Sequence, residues 1–207
     1  MFDTPYGIAS LVLKEIPYKS IAYIILREVW DAERLLSECV SFCRMCGAEV
    51  ICAAGHQCLE AHPLYTTVLE MRGDAAVDRA SLKSLFPVTE ATVTQWRNIY
   101  NEKMRPIDNA ATMTAFDEKR ILESGGAYFV HDAGELLGIG WLADTELLAL
   151  AAVKPGAGRA VMNTLMSLAE GAQLHLEVAS TNKKAIRLYD KMGFISTKEI
   201  SRWYRIL

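Results

Sequence analysis

"VASTNKKAIRLYDKMGF" runs from Val178 to Phe194, and its order of residue types is that of a strand, a turn and a short helix. Val178 and Ala179 close the run "LHLEVA", whose β-branched and apolar residues suit a strand. Ser-Thr-Asn breaks it, and Asn182 stands where a helix N-cap is wanted. Ala185, Ile186, Leu188, Tyr189 and Met192 then recur at helical spacing as a buried face, and Gly193 fits the C-terminal cap. Asn182 and Tyr189 lie two turns apart and therefore on roughly the same side. A capped amphipathic helix with a core tyrosine accounts for this stretch taken alone.

The stretch upstream changes the reading. "LALAAVKPGAGRAVMNTLM" passes from an apolar strand into a helix through the turn "VKPGAG", Val153 to Gly158. Gly156, Ala157 and Gly158 let the backbone come close to a ligand, and the first amides of the helix point outward with the positive end of its dipole. Such a turn suits a pyrophosphate, although a tight strand-to-helix connection uses the same residues.

The surrounding chain supplies the frame. Thr89 or Thr92 can cap a helix through Met104, ending before Pro106. Thr114 to Ser124 reads as a second helix stopped by Gly125-Gly126. "AYFVHDAGELLGIGWLAD" is two strands about the turn Asp132-Ala133-Gly134. Gly138 and Gly140 mark a bulge or a close approach by a ligand. Glu146 to Val153 is a third, nearly all-apolar strand and hence central. "ISRWYRIL" closes the chain as a strand, so the order over this half is α-α-β-β-β-α-β-α-β.

The first half contains an echo. "IAYIILREV" reads as a strand, "DAERLLSECVSFCRMC" as a helix capped by Asp31 and ended by Gly47, and "AEVICAA" as a strand. A degenerate half-repeat and two unrelated α/β segments both fit. The glycine turn and the Asn and Tyr are absent from this copy, so it is expected to be structural. The charged stretch "EMRGDAAVDRAS", Glu70 to Ser81, reads as the junction, giving segments 1–80 and 81–207.

Five cysteines lie between Cys39 and Cys58. Cys39, Cys43 and Cys46 share a helical face with Leu36 and Val40, where free thiols pack as small hydrophobes. "CRMC" lacks the second Cys pair or His pair of a zinc site, so no metal is expected. With 22 basic and 25 acidic residues, a net charge of -3 gives no electrostatic case for nucleic acid. No apolar run is long enough to span a bilayer, and "MFDTPYGIAS" lacks a basic signal region, so a cytoplasmic protein is the expectation.

From Val88 to Leu207 the chain resembles the GNAT superfamily of acyl-CoA N-acyltransferases. "LEVASTNKKAIRLYDKMGF" matches the family's strand-Asn-helix-Tyr-Gly-Phe pattern, and "LALAAVKPGAGRAVMNTLM" its strand, pyrophosphate loop and helix. The Arg or Gln that usually precedes the family's Gly-x-Gly turn is missing, and the loop is short. The resemblance implies an α/β fold, a GNAT-like mixed sheet flanked by helices, here with an additional N-terminal α/β half-domain. It implies acetyl transfer from acetyl-CoA to an amine in a ternary complex, without a metal. Strand amides near Ala152 and Val153 would hold the pantetheine and acyl oxygen. Amides of Gly156, Ala157, Gly158, Arg159 and Ala160 would hold the pyrophosphate.

The same resemblance puts Asn182 beside the pantetheine arm and Tyr189 opposite the sulfur. A phenol with a pKa near ~10 stays protonated at neutral pH and can protonate a leaving thiolate. Glu146, at the start of the central strand, is the first candidate for the general base. It is read as sharing a face with Leu148, Leu150 and Ala152. Glu177, His131 and His175 are weaker candidates. Lys183, Lys184 and Arg187 fit either CoA phosphates or a solvated helix face. A non-catalytic acyl-CoA-binding or regulatory module is the alternative function. The amine acceptor is not legible.

Overall fold

The chain alternates strands and helices throughout, and the computed structural model describes residues 1–207. Strands β1 (Phe2–Thr4) and β2 (Gly7–Val12) precede a single helical turn, α1 (Ile16–Lys19). Then come β3 (Ile21–Val29), α2 (Ala32–Met45), β4 (Val50–Ala54), β5 (Leu64–Asp74) and β6 (Ser84–Pro87). Two helices, α3 (Val93–Met104) and α4 (Ala115–Ser124), lead into β7 (Ala127–Asp132), β8 (Glu135–Ala143) and β9 (Glu146–Ala152). The chain closes with α5 (Gly158–Met166), β10 (Gln173–Ala179), α6 (Lys183–Lys191) and β11 (Ile195–Arg205).

Contacts divide these elements into two units. Met1–Val68 with Glu199–Leu207 forms the first, and Leu69–Lys198 the second. The junction expected at 80/81 therefore lies inside the second unit. The expected linker from Glu70 to Ser81 begins as strand, because Glu70 to Asp74 belong to β5.

In the first unit β1, β2 and β3 are antiparallel neighbours, and β4 lies parallel to β3. The crossover between β3 and β4 is α2, which Asp31 caps by accepting from Arg34 N–H at 3.2 Å. Leu35, Cys39 and Cys43 on α2 are fully buried with Ile24, Ile51 and Leu59. Cys46, expected on the same face, follows the last helical residue and is exposed. Burial pushes the Cys39 thiol up to about 12 and the Cys43 thiol up to about 11.

The second unit has the strand order β5-β10-β9-β8-β7-β6. Hairpins join β7 to β8 and β8 to β9 in antiparallel pairing, while β9 and β10 are parallel. The β7–β8 turn places Ala133 and Gly134 at φ 49° and 83°, as a tight two-residue hairpin requires. Helices cover both faces of this mixed sheet. On one face α5 and α6 bury Val161, Met162, Leu165 and Tyr189 against Leu147, Leu174, Leu176 and Val178. On the other, α3 and α4 bury Trp96, Tyr100 and Ile121 against Phe129, Ile139, Trp141 and Ala149. The expected helices on both sides of residues 105–114 are present, with Thr114 and Asp117 forming a capping box and Gly125 at φ 64°.

Gly138 and Gly140 serve a purpose that composition alone left open. A Cβ on Gly138 would meet Val161 Cγ2 at 2.8 Å, and one on Gly140 would meet Leu165 Cδ1 at 2.0 Å. What approaches these glycines is α5, not a ligand. The bulge expected nearby is real: Leu137 is the extra residue where β8 pairs with Val130 and His131 of β7.

Candidate functional site

β9 and β10 are both seven residues long and parallel, yet they share a single register pair, His175 with Glu146. A backbone bond beside it runs from His175 N–H to Thr145 O at 3.0 Å. Beyond that pair the strands diverge. The first unit has the same strand-helix-strand order with the opposite outcome. There β3 and β4 pair without interruption from Ile21 with Val50 to Ile25 with Ala54.

The gap between β9 and β10 leaves backbone groups without a ladder partner. Val153 N–H donates to Leu137 O at 2.8 Å, so Val153 points toward β8. Backbone direction alternates along a strand, which turns the amides of Leu150 and Ala152 the other way, toward β10. The Ala152 N–H thus faces the gap. The Val153 N–H does not, because it is committed to Leu137. Leu150 is the residue the sequence reading missed; the parity of Ala152 would have pointed to it.

A bulge in β9 explains a second correction. Trp141 pairs with Ala149 but Leu142 pairs with Leu147, so Leu148 is the extra residue. One added residue inverts the faces that follow. Leu147 and Leu150 accordingly pack on the α5 side, while Leu148, Ala149 and Ala151 pack on the α3–α4 side. Glu146 therefore shares its face with Leu148 but not with Leu150 or Ala152.

At the end of β9 the chain turns through Gly156, whose φ of 82° needs glycine, into α5. Ala157 is the N-cap residue and offers no side-chain cap. Its N–H donates to Lys154 O at 3.2 Å, and the first intrahelical bond is Val161 N–H to Ala157 O at 2.9 Å. The amides of Gly158, Arg159 and Ala160 are left as an open helix N-terminus, half-buried at Gly158 and Ala160. Gly158 also lets two helices meet: a Cβ there would lie 3.2 Å from Leu188 Cδ2 of α6.

At the end of β10, Asn182 caps α6, its Oδ1 accepting from Ala185 N–H at 3.2 Å. Its Nδ2 donors are not used in that cap. Tyr189 lies in the α5–α6 core at 7% exposure, with its ring 6.1 Å from that of Phe194. Burial pushes its phenol up to about 12. No buried polar side-chain atom lacks a hydrogen-bond partner.

The weaker candidates separate. His175 and Glu177 share the face of β10 opposite Leu174, Leu176 and Val178, and His175 is next to Glu146. His131 sits on β7 against Phe86 and Phe129 instead, with ring centroids 5.0 and 6.4 Å away. Lys183, Lys184 and Arg187 are exposed on α6. No group of three or more His, Cys, Asp or Glu side chains is arranged to hold a metal ion. No helix is long and apolar enough to cross a membrane.

Residues 93–194, roughly half of the chain, match the model of the acetyltransferase (GNAT) family, and this segment belongs to that family. Solved structures share the fold at low identity. An acetyltransferase of the GNAT family from Colwellia psychrerythraea is 13% identical with a TM-score of 0.50, covering 88% of this chain and 77% of that one. A functionally unknown conserved protein from Staphylococcus epidermidis is 10% identical with a TM-score of 0.60, covering 99% and 92%. A GCN5-related N-acetyltransferase from Anabaena variabilis is 11% identical with a TM-score of 0.62, covering 89% of this chain and 54% of that one. No curated protein matches the chain.

Proposed function

We propose that the protein transfers an acetyl group from acetyl-CoA to an amine by direct attack in a ternary complex. The observation that carries this reading is the divergence of β9 and β10 after one residue pair, with the Leu150 and Ala152 amides turned into the gap. An open helix N-terminus at Gly158 to Ala160 stands at one end of that gap. Acetyl-CoA would supply an activated thioester. The unpaired amides of β9 would hold its extended arm and polarise the acyl oxygen. The amides of Gly158, Arg159 and Ala160, with that of Gly156 in the turn, would hold its pyrophosphate, while the Ala157 N–H stays with Lys154 O. Asn182, with free Nδ2 donors, would bind along the arm.

Tyr189 would protonate the leaving sulfur, for which a phenol kept neutral by burial is suited. Glu146 would accept the acceptor's proton. The functional division is then 1–80 as an accompanying α/β segment and 81–207 as the transferase part, since every residue of the site follows position 81. A capped α2 and a closed β3–β4 ladder support a structural role for the first segment. A cytoplasmic location belongs to the same proposal.

The test has two arms. Acetyl-CoA raises the melting temperature of the wild type, because it binds the native state. Gly158→Asp abolishes the shift, whereas Gly158→Ala, which makes the same contact with Leu188, retains most of it. A panel of amines with acetyl-CoA then releases free thiol. A folded wild type with no shift at millimolar acetyl-CoA would reject the cofactor. A shift with no thiol release from any amine would favour a non-catalytic binding module.

A further inference from the structure

The two units share a pairing scheme but not a full complement of helices. In the first, β2 and β3 are antiparallel, and β3 and β4 are parallel across α2. In the second, β8 and β9 are antiparallel, and β9 and β10 are parallel across α5. After β10 comes α6, which lies beside α5: Leu188 closes on Gly158, and Tyr189 is buried in the same core. After β4 comes only a five-residue 3₁₀ turn, Gln57–Ala61, with Leu59 as its one buried side chain. The place beside α2 that corresponds to α6 has no α-helix of its own.

An open cleft of about 490 Å³ runs along α2. One ridge of the helix forms its wall at four-residue spacing, Ala32, Leu36, Val40 and Arg44, and His62 and Ile206 also line it. Leu36, Val40 and Ile206 pack against the first unit's core but are only half-buried. Glu33 stands in the first turn of α2 and Arg44 in the last, ~16 Å apart along the axis. Both line the cleft, both are exposed, and neither enters an ion pair. The cleft is thus an apolar trough with a free acid at one end and a free base at the other.

Direction follows from the strands. α2 returns from the end of β3, and a helix in the place of α6 would return from the end of β4. Because β3 and β4 are parallel, both helices start at the same end of the sheet. The occupant's first turn then meets Glu33 and its last turn meets Arg44. We propose that this cleft docks an amphipathic helix of a partner protein, lying parallel to α2, basic in its first turn, apolar along one face and acidic in its last turn. α6 has that order: Lys183 and Lys184 at its start, Ile186, Leu188 and Tyr189 on its inner face, and Asp190 near its end. α6 of a second copy is not the occupant, because its apolar face is already buried against α5. The helix comes from another protein, held by contact with Leu36, Val40 and Ile206 and oriented by the two end charges. The proposal stands apart from acetyl transfer, since every cleft residue belongs to the first unit.

The probe is a synthetic peptide of residues 181–193 with blocked ends, a fluorescein label and Lys191→Ala, titrated with the full chain and read by anisotropy. Wild type binds it saturably with a Kd below ~100 μM, and the peptide's helicity in circular dichroism rises on binding. Glu33→Lys combined with Arg44→Glu, both at exposed positions, keeps the thermal melt and weakens the probe at least ~5-fold. The same double variant binds a charge-swapped probe, with Lys183→Glu, Lys184→Glu and Asp190→Lys, at least ~5-fold tighter than wild type does. Ser37→Trp, which fills the cleft from an exposed position, weakens both probes by at least as much. No saturable binding by wild type, or a smaller change in either variant while it stays folded, overturns the proposal. A dimer in light scattering that Ser37→Trp dissociates would give the cleft to a second copy and overturn it as well.

Discussion

Asn163 and Asp78 are joined by two hydrogen bonds of equal length. Asp78 N–H donates to Asn163 Oδ1 at 2.9 Å, and Asn163 Nδ2 donates to Asp78 O at 2.9 Å. A side-chain amide on α5 thus imitates a strand, and Nδ2 also reaches Ser81 Oγ at 3.0 Å. One residue later Thr164 Oγ1 accepts from Lys83 N–H at 3.1 Å. The segment after β5 is fastened to the helix whose N-terminus opens on the proposed site. Asn163→Ala leaves both Asp78 backbone groups without these partners and is expected to cost about 1–3 kcal/mol in urea unfolding. A loss below about 0.5 kcal/mol, the size of an ordinary surface change, would show that the clamp is not stabilising.

Gly140 and Leu165 fix how closely α5 can lie on β8. Gly140→Ala drives a methyl group into Leu165 and should destabilise by about 1–3 kcal/mol. Leu165→Ala alone should cost about 2–5 kcal/mol through the cavity it leaves. Combined, the two changes should fall short of their sum by about 1 kcal/mol or more, because the second removes the atoms that the first strikes. Strict additivity in a double-mutant cycle would mean that the helix had already moved away.

The buried thiols make stability depend on alkaline pH. Cys39 and Cys43 have native values raised from 9.0 to about 12 and about 11 by burial. Between these limits the unfolded chain has lost protons that the native protein keeps, so stability falls as pH rises above 9. The expected slope is about 1.4 kcal/mol per pH unit for each thiol, levelling once the native thiol ionises. Cys43→Ala lowers stability by about 1–3 kcal/mol at neutral pH and flattens the slope. Unfolding midpoints measured from pH 7 to 11 decide this; a flat profile in wild type would contradict thiol burial. Acetyl transfer by folded Cys43→Ala should persist, since the residue only packs.

Tyr189 separates a proton donor from a core residue. Tyr189→Phe keeps the ring and its contact with Phe194 and removes the hydroxyl. Turnover should drop by about 10²–10⁴, the range of general acid catalysis. The acetyl-CoA thermal shift should stay, because the backbone groups that would hold the cofactor are untouched. Pre-steady-state kinetics must accompany the rate, so that product release does not mask the step. A rate within a few-fold of wild type, with chemistry limiting, would hand the role to a water molecule.

Much of the second unit was legible because its punctuation is local. Asn182, Gly193, Thr114 and Gly125 each do at a helix end what their residue types suggest. β5 was not read as a strand, since Glu70, Arg72 and Asp74 gave it the look of a linker. Its period was nonetheless there: Met71 and Gly73 are buried while Arg72 and Asp74 are exposed. Gly73 is required by Phe194, whose ring would lie 2.7 Å from an added Cβ, a contact over a distance that spacing cannot reveal. The faces of β9 were misassigned for a related reason. The bulge at Leu148 is set by pairing with β8, and an apolar run such as "ELLALAA" carries no mark of where alternation slips.

The parting of β9 and β10 interrupts the hydrogen-bond ladder in the interior of the second unit's sheet rather than at its rim. Cohesion across that seam rests on the side chains of Leu147, Leu174, Leu176 and Val178. Leu150 and Ala152 are mid-sheet residues whose amides should exchange with deuterium far faster than those of Ala149 and Ala151 beside them. Anything that fills the seam must imitate a strand, bringing its own donors and acceptors at amide spacing and lying extended along β9. On the proposed reading, the cleft would select for the backbone-like character of a ligand's shaft before it reads either end. Slowed exchange at Leu150 and Ala152 on adding acetyl-CoA would register the sheet being completed by a molecule that is not protein.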